Sequence, residues 1–373
     1  MLRQFWVIVF GFGSFWLSGP SFAQKTNNPV YEDPFDLGAG GASLTKASGA
    51  AQLFANPALL PYGGTFHRWF GLDLWVISNK ESVDTAQQIL ESSGSEEEQT
   101  EEEQAEQNLE FVDKVFNDPV HTGWGTSLSW VTNNGGVGVF SRFEPDIRAR
   151  KRGSTGVPEV QVLTESYHGA MASLANRSPW RALSVGATAK YMYVLEDDLS
   201  IEITDEASIA EVQDPGFSRD LKSHNSGLGL DAGFLLFFQG DSVDFRLAGK
   251  VDDIGDTQLA GDKSPTAFKQ VVSGGLGLTF HTGADALHFS ADYRDILSSY
   301  EEDLFKKVYV GTKLTIRTYL GFSTGYYHGY QSYGFELDLI LLRLAATYYT
   351  KEYGDSPGVD PRRLYLISLA LGY

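Results

Sequence analysis

The stretch YGFELDLILLRLAATYYTK, residues 333–351, decides the fold. Taken two residues at a time, Tyr333, Phe335, Leu337 and Leu339 share one face, and Gly334, Glu336 and Asp338 share the other. After a break at 340–341 the pattern resumes, with Leu342, Leu344, Ala346 and Tyr348 set against Arg343, Thr347 and Lys351. A period of two is the mark of strands with one apolar face, and two such runs in tandem read as a hairpin.

The same alternation spreads outward in both directions. Toward the C-terminus, Tyr365, Ile367, Leu369, Leu371 and Tyr373 alternate with small residues. Toward the N-terminus, Leu287, Phe289, Ala291 and Tyr293 oppose His288, Ser290, Asp292 and Arg294. Further back, Val243, Phe245, Leu247 and Val251 oppose Asp244, Arg246 and Lys250. Periodicity alone fits a soluble sandwich or a barrel in lipid, because inverting the faces leaves the period unchanged. Tyrosines at the ends of the apolar faces favour the barrel, since aromatic girdles mark the membrane interfaces. The chain also ends on an aromatic within a strand, as bacterial outer-membrane barrels do.

Strands are expected at 65–78, 124–132, 137–147, 159–174, 182–196, 225–238, 242–252, 268–281, 285–295, 304–315, 317–328, 331–340, 342–352 and 361–373. Connections after even strands are short, and most after odd strands are long: 80–123, 148–158, 197–224, 253–267 and 353–360. That asymmetry predicts an all-β, antiparallel, up-and-down transmembrane barrel of about fourteen strands, both termini periplasmic.

Composition agrees. With 24 Phe, 18 Tyr, 7 Trp and 40 Gly, the chain exceeds ordinary soluble usage of aromatics and glycine. It has no cysteine, so it has neither disulfides nor thiolate metal sites. A net charge of −19 leaves no basic footprint for nucleic acid. At the N-terminus, Arg3, an apolar run from Phe5 to Leu17 and the small-x-small site Ser21-Phe22-Ala23 read as a signal peptide, 1–23. The expected address is the outer membrane of a Gram-negative cell, with outer-membrane lipid and the barrel assembly machinery as partners.

Two segments stand apart from the wall, which spans 65–373. Within 24–64, a small-residue loop over 34–46 leads into a helical turn or two at Ala47–Phe54 that Asn56-Pro57 stops. Gly38-Ala39-Gly40-Gly41-Ala42 followed by Asn56-Pro57-Ala58-Leu59-Leu60, just ahead of the first strand, resembles the N-terminal hatch of FadL-type outer-membrane barrels. The resemblance implies a hatch inside the lumen, with Gly38, Gly40, Gly41, Asn56, Pro57 and Ala58 carrying that role. Branches of that superfamily include fatty-acid and hydrocarbon transporters, PorV-like secretion components and TraF-like conjugal-transfer proteins. The TraF-like pattern is the nearest, because it too has a polar helical insert between its first two strands. Here that insert is 80–118, with 13 acidic and 2 basic residues and two short amphipathic runs, expected as a helical hairpin with a solvated charge run.

The polar faces predict a charged lumen: Asp244, Arg246, Lys250, Asp292, Arg294, Lys307, Lys313, Glu336, Asp338, Arg343 and Lys351. Confined charges of both signs should pair with one another. Trp69, Trp75, Phe140, Met192 and Leu235 mark the earlier strands as the less polar side. No histidine pair has metal spacing, and His288, Ser290 and Asp292 stack along one strand instead of converging as a triad. No cofactor, metal or catalysis is expected. Two functions remain: hatch-gated passive uptake of a hydrophobic or amphipathic small molecule, or a non-transporting barrel serving a secretion, conjugation or adhesion apparatus.

Overall fold

The computed structural model describes residues 32–47, 49, 51–62, 68–80, 82–83, 119–152, 157–179, 182–202, 224–261, 267–301, 303–339 and 341–372. The expected signal peptide, nearly all of the acidic insert and Tyr373 lie outside the described residues.

Fourteen strands close one antiparallel sheet. They are β1 (Arg68–Ser78), β2 (Val120–Val131), β3 (Gly135–Arg152), β4 (Val157–Arg177), β5 (Leu183–Glu202), β6 (His224–Phe238) and β7 (Val243–Asp252), then β8 (Val271–Thr282), β9 (Asp285–Tyr293), β10 (Val308–Ile316), β11 (Leu320–Tyr327), β12 (Tyr330–Asp338), β13 (Leu342–Glu352) and β14 (Pro361–Leu371). Every strand pairs with its sequence neighbours, and β1 pairs with β14 from Leu72↔Leu371 to Ser78↔Tyr365. Closure leaves no long edge exposed. Between β7 and β8, residues Ala260–Gly261 fold back onto β6 as a short fifteenth strand.

The faces are inverted relative to a soluble protein. Leu228 is 78% exposed, Leu174 75% and Ile367 67%, and Phe70, Val139, Leu276, Phe322 and Phe335 also point outward. Asp73, Ser127, Lys190, Asp231, Ser290 and Lys313 are buried on the inside. Such a surface suits lipid outside and polar contacts within. Tyr333, Tyr348 and Tyr365 sit in register across β12, β13 and β14, with ring centroids 6.5 and 5.3 Å apart. This row lies at the extracellular end of the apolar band, where aromatic rings face both lipid tail and headgroup.

Differences from expectation lie mostly outside the bilayer. β3, β4 and β5 run for 18, 21 and 20 residues, well beyond the roughly 9–11 that cross a membrane. Residues 148–152, 157–158 and 197–202, expected as loop, therefore belong to strands. They lack the apolar alternation because no lipid borders them. Residues 304–307, expected as the start of a strand, form a helical turn, α3 (Leu304–Lys307), capped by Asp303. Lys307 accordingly leaves the lumen set, and its Nζ donates to Ser298 Oγ at 2.6 Å in the extracellular loop.

Candidate functional site

The lumen is occupied by the chain's own N-terminal segment. Its first element is α1 (Pro34–Leu37), where Asp33 caps the helix by accepting the Phe35 N–H at 3.2 Å and Pro34 sets the first turn. Gly40 and Gly41, both at φ +71°, turn the chain in a conformation that favours glycine. A second helix, α2 (Ala51–Ala55), then leads through Asn56 into a 3₁₀ helix, Pro57–Tyr62.

The segment touches the wall by backbone, and the wall makes room with glycine. A Cβ on Gly311 (β10) or Gly325 (β11) would collide with backbone atoms of Ala39 or Gly40. One on Gly186 (β5) would lie 2.6 Å from the Pro57 carbonyl carbon. Ser332 Oγ accepts the Gly40 N–H at 3.0 Å and donates to the Gly38 carbonyl at 3.1 Å. Asn56 is fully buried: its Nδ2 donates to the Leu44 and Phe234 carbonyls, each at 3.2 Å, and its Oδ1 accepts the Ala58 N–H at 3.0 Å. Pro57 and Ala58 pack in the same corner beside Gly186 and, with Leu59, are buried.

The lumen charges divide between two tasks, and only part of the expectation of mutual pairing holds. Arg343 Nη2 pairs with Glu336 at 2.7 Å, and Lys313 pairs with the other oxygen of Glu336. Lys250 pairs with Asp252. Several cations, however, hold the segment. Arg246 donates to the Thr45 carbonyl at 3.0 Å, and Lys250 donates to the Phe54 carbonyl. Arg294 donates to the Gly41 carbonyl and, at 3.1 Å, to Ser43 Oγ. Asp292 Oδ2 accepts the Ser43 and Leu44 N–H groups at 2.8 and 3.1 Å. Arg343 also lies 3.7 Å over the Phe35 ring. The physical reason is supply: a segment without regular hydrogen-bonding partners exposes carbonyls and N–H groups that must be met inside the barrel.

Asp244 stands apart at the periplasmic rim, accepting the Gly240 N–H at 3.2 Å and bonding His281 Nε2 at 2.9 Å. Asp338 borders a pocket near Arg343. Lys351 joins a second, extracellular network that the sequence reading missed. There Arg142 pairs with Glu144 at 2.7 Å, Lys351 with Glu144 at 3.7 Å, and Arg362 with Asp146 at 3.1 Å. The alternation of Phe140, Arg142, Glu144 and Asp146 within 137–147 carried that signal. His288 and Asp292 do not converge on a reacting atom: His288 Nδ1 bonds Thr279 Oγ1 at 2.7 Å, and Asp292 serves the segment.

The opposite side of the lumen is apolar. Phe140, Tyr167, Met171, Ala175, Met192 and Val194 point inward from β3, β4 and β5 and form one cluster with Leu53 and Leu60 of the segment. Phe54 meets Phe140 edge to face at 5.2 Å. From the extracellular side, Leu259 enters the same cluster and Phe268 packs against it. Trp75 and Leu235 are buried as expected, whereas the Trp69 side chain lies outside the described residues. An apolar lane thus connects an extracellular loop to the N-terminal segment along three adjacent strands.

No protein-family model matches this chain, and no curated protein sequence is similar to it. Among solved structures, it is similar to the Pseudomonas putida toluene transporter TodX, with a TM-score of 0.51 and 10% identity over 93% of this chain and 100% of that one. It is equally similar to the Ralstonia pickettii toluene transporter TbuX, with a TM-score of 0.51 and 13% identity over 93% and 100% of the two chains. At these identities the likeness is one of fold. It is a full-length outer-membrane barrel fold, as the FadL-type resemblance implies.

Proposed function

We propose that this protein is an outer-membrane channel for a hydrophobic small molecule, with residues 34–60 as the hatch that closes it. The observation that carries this reading is the apolar lane on β3–β5, which meets Leu259 and Phe268 at its extracellular end and Leu53, Phe54 and Leu60 at its inner end. A polar solute gains nothing along such a wall, whereas an apolar one trades water for side chains at about 25 cal/mol per Å². The barrel fold shared with two toluene transporters supports the same class of cargo. The charged half of the lumen does not count against it, because Arg246, Lys250, Asp292 and Arg294 face the hatch backbone. The same bonds remove the main ground for an accessory barrel, which rested on an unassigned lumen charge network.

The test is uptake of a lipophilic dye into cells or proteoliposomes carrying the barrel. Deleting 34–60 should raise dye entry or open a conductance in planar bilayers. Met192→Asp should depress entry through that opened barrel while leaving heat-modifiable migration intact. Absence of both dye entry and conductance in the deleted form would remove transport from consideration.

A further inference from the structure

Between the N-terminal segment and the wall lies a pocket of about 210 Å³ at the periplasmic end of the barrel. Asp36 and Lys46 border it from the segment; Lys313, Glu336 and Arg343 border it from β10, β12 and β13, and Tyr319 from the turn between β10 and β11. It is separate from the apolar lane on β3–β5. A cavity of about 150 Å³ already admits a benzene-sized molecule, so a solute of a handful of heavy atoms fits.

Its residual bonding capacity is specific. Glu336 is engaged by both Lys313 and Arg343. Lys46 has no carboxylate within ion-pair distance among the described residues, although its chain is partly buried. Asp36 is only 6% exposed, and its Oδ2 accepts no hydrogen bond. A buried carboxylate oxygen without a donor is costly, by roughly 1–3 kcal/mol, and calls for a partner. One cationic donor and one acceptor therefore remain open on the same pocket.

We propose that this pocket binds a small zwitterion of amino-acid size, its carboxylate on Lys46 and its ammonium on Asp36. The solute would join the segment through Lys46 and Asp36 while lying against Lys313 and Arg343 of the wall, so occupancy secures the segment from the periplasmic side. This holds whatever travels through the lumen.

A pH signature accompanies the site. Burial, together with the nearby ammonium of Lys313 and the guanidinium of Arg343, pushes the Lys46 amine down to about 7 against the opposing pull of Asp36 and Glu336. A bound carboxylate favours the charged amine, so binding takes up a proton and weakens as pH rises above that value.

Titration calorimetry of the full-length protein in detergent with glycine, acetate and methylammonium tests the site. Glycine should bind saturably, more tightly than either fragment, and Lys46→Met and Asp36→Ala should each weaken it by about tenfold or more. Repeating the titration in buffers of different ionisation enthalpy should reveal proton uptake above pH 7. Heat-modifiable migration of both variants confirms that the barrel has formed. The proposal is overturned by an absence of glycine binding, by binding indifferent to Lys46→Met, or by acetate binding as tightly as glycine.

Discussion

At the scale of single residues, the N-terminal segment and the wall are fitted through groups with no side-chain volume to spare. Asn56 makes three hydrogen bonds in a buried corner. Asn56→Ala leaves the Leu44 and Phe234 carbonyls without that donor, which should cost the docked segment roughly 1–3 kcal/mol. The expected outcome is faster proteolysis within 34–60 and greater dye entry, with the barrel's heat-modifiable migration unchanged. Gly311→Val should act alike by displacing Ala39; a variant that keeps the segment protected would show that the backbone contact is dispensable. Half of this was legible beforehand. Gly38, Gly40, Gly41 and Asn56 stand out because glycine clusters and Asn-Pro stops are local signals. Gly186, Gly311 and Gly325 do not, because alternation says which way a residue faces and never which distant backbone approaches it.

At the scale of elements, the strands carried their own signatures wherever lipid touches them. Tyr333, Phe335, Tyr348 and Ile367 were placed correctly because lipid on one side and a polar interior on the other impose a period of two. The extracellular ends of β3, β4 and β5 were read as loop because no such difference exists beyond the membrane. Ile367 lies near the middle of β14 on the lipid face, so Ile367→Lys should cost about 2–4 kcal/mol. A lowered urea midpoint for refolding into lipid vesicles would register it, and an unchanged midpoint would contradict the assigned facing. Arg294→Ala combined with Arg343→Ala addresses the other surface. Because Arg294 holds Gly41 and Arg343 covers Phe35, the pair should loosen the segment more than the wall, seen as proteolysis of 34–60 at a nearly unchanged midpoint.

At the scale of the whole molecule, the interior is divided lengthwise. One half is greasy and runs past β3–β5; the other is polar and grips the segment. The sequence reading gave the polar half in residue detail and only hinted at the greasy one, because charged residues announce themselves singly while an apolar lane exists only once strands are adjacent. The division yields a further expectation: Phe140→Asp should block lipophilic dye in the hatch-deleted barrel, whereas Asp292→Asn should raise entry in the intact protein by losing the Ser43 and Leu44 bonds. Equal effects from both would mean that the two halves do not act separately. Cell fractionation should place the protein with outer membranes, beginning at Gln24.

The seam between β1 and β14 joins the first and last strands of the sheet around a segment that precedes them both. The inside is therefore made before the outside is complete. Residues 34–60 leave the export channel first, yet their resting place is defined by β5, β6 and β8 through β13, which emerge later. Assembly consequently has a chronology: the growing sheet must curl about its own leading end, and the final pairing shuts it in. A defect in the segment would then appear as a delay in closing the seam, a matter of timing and not of the finished shape.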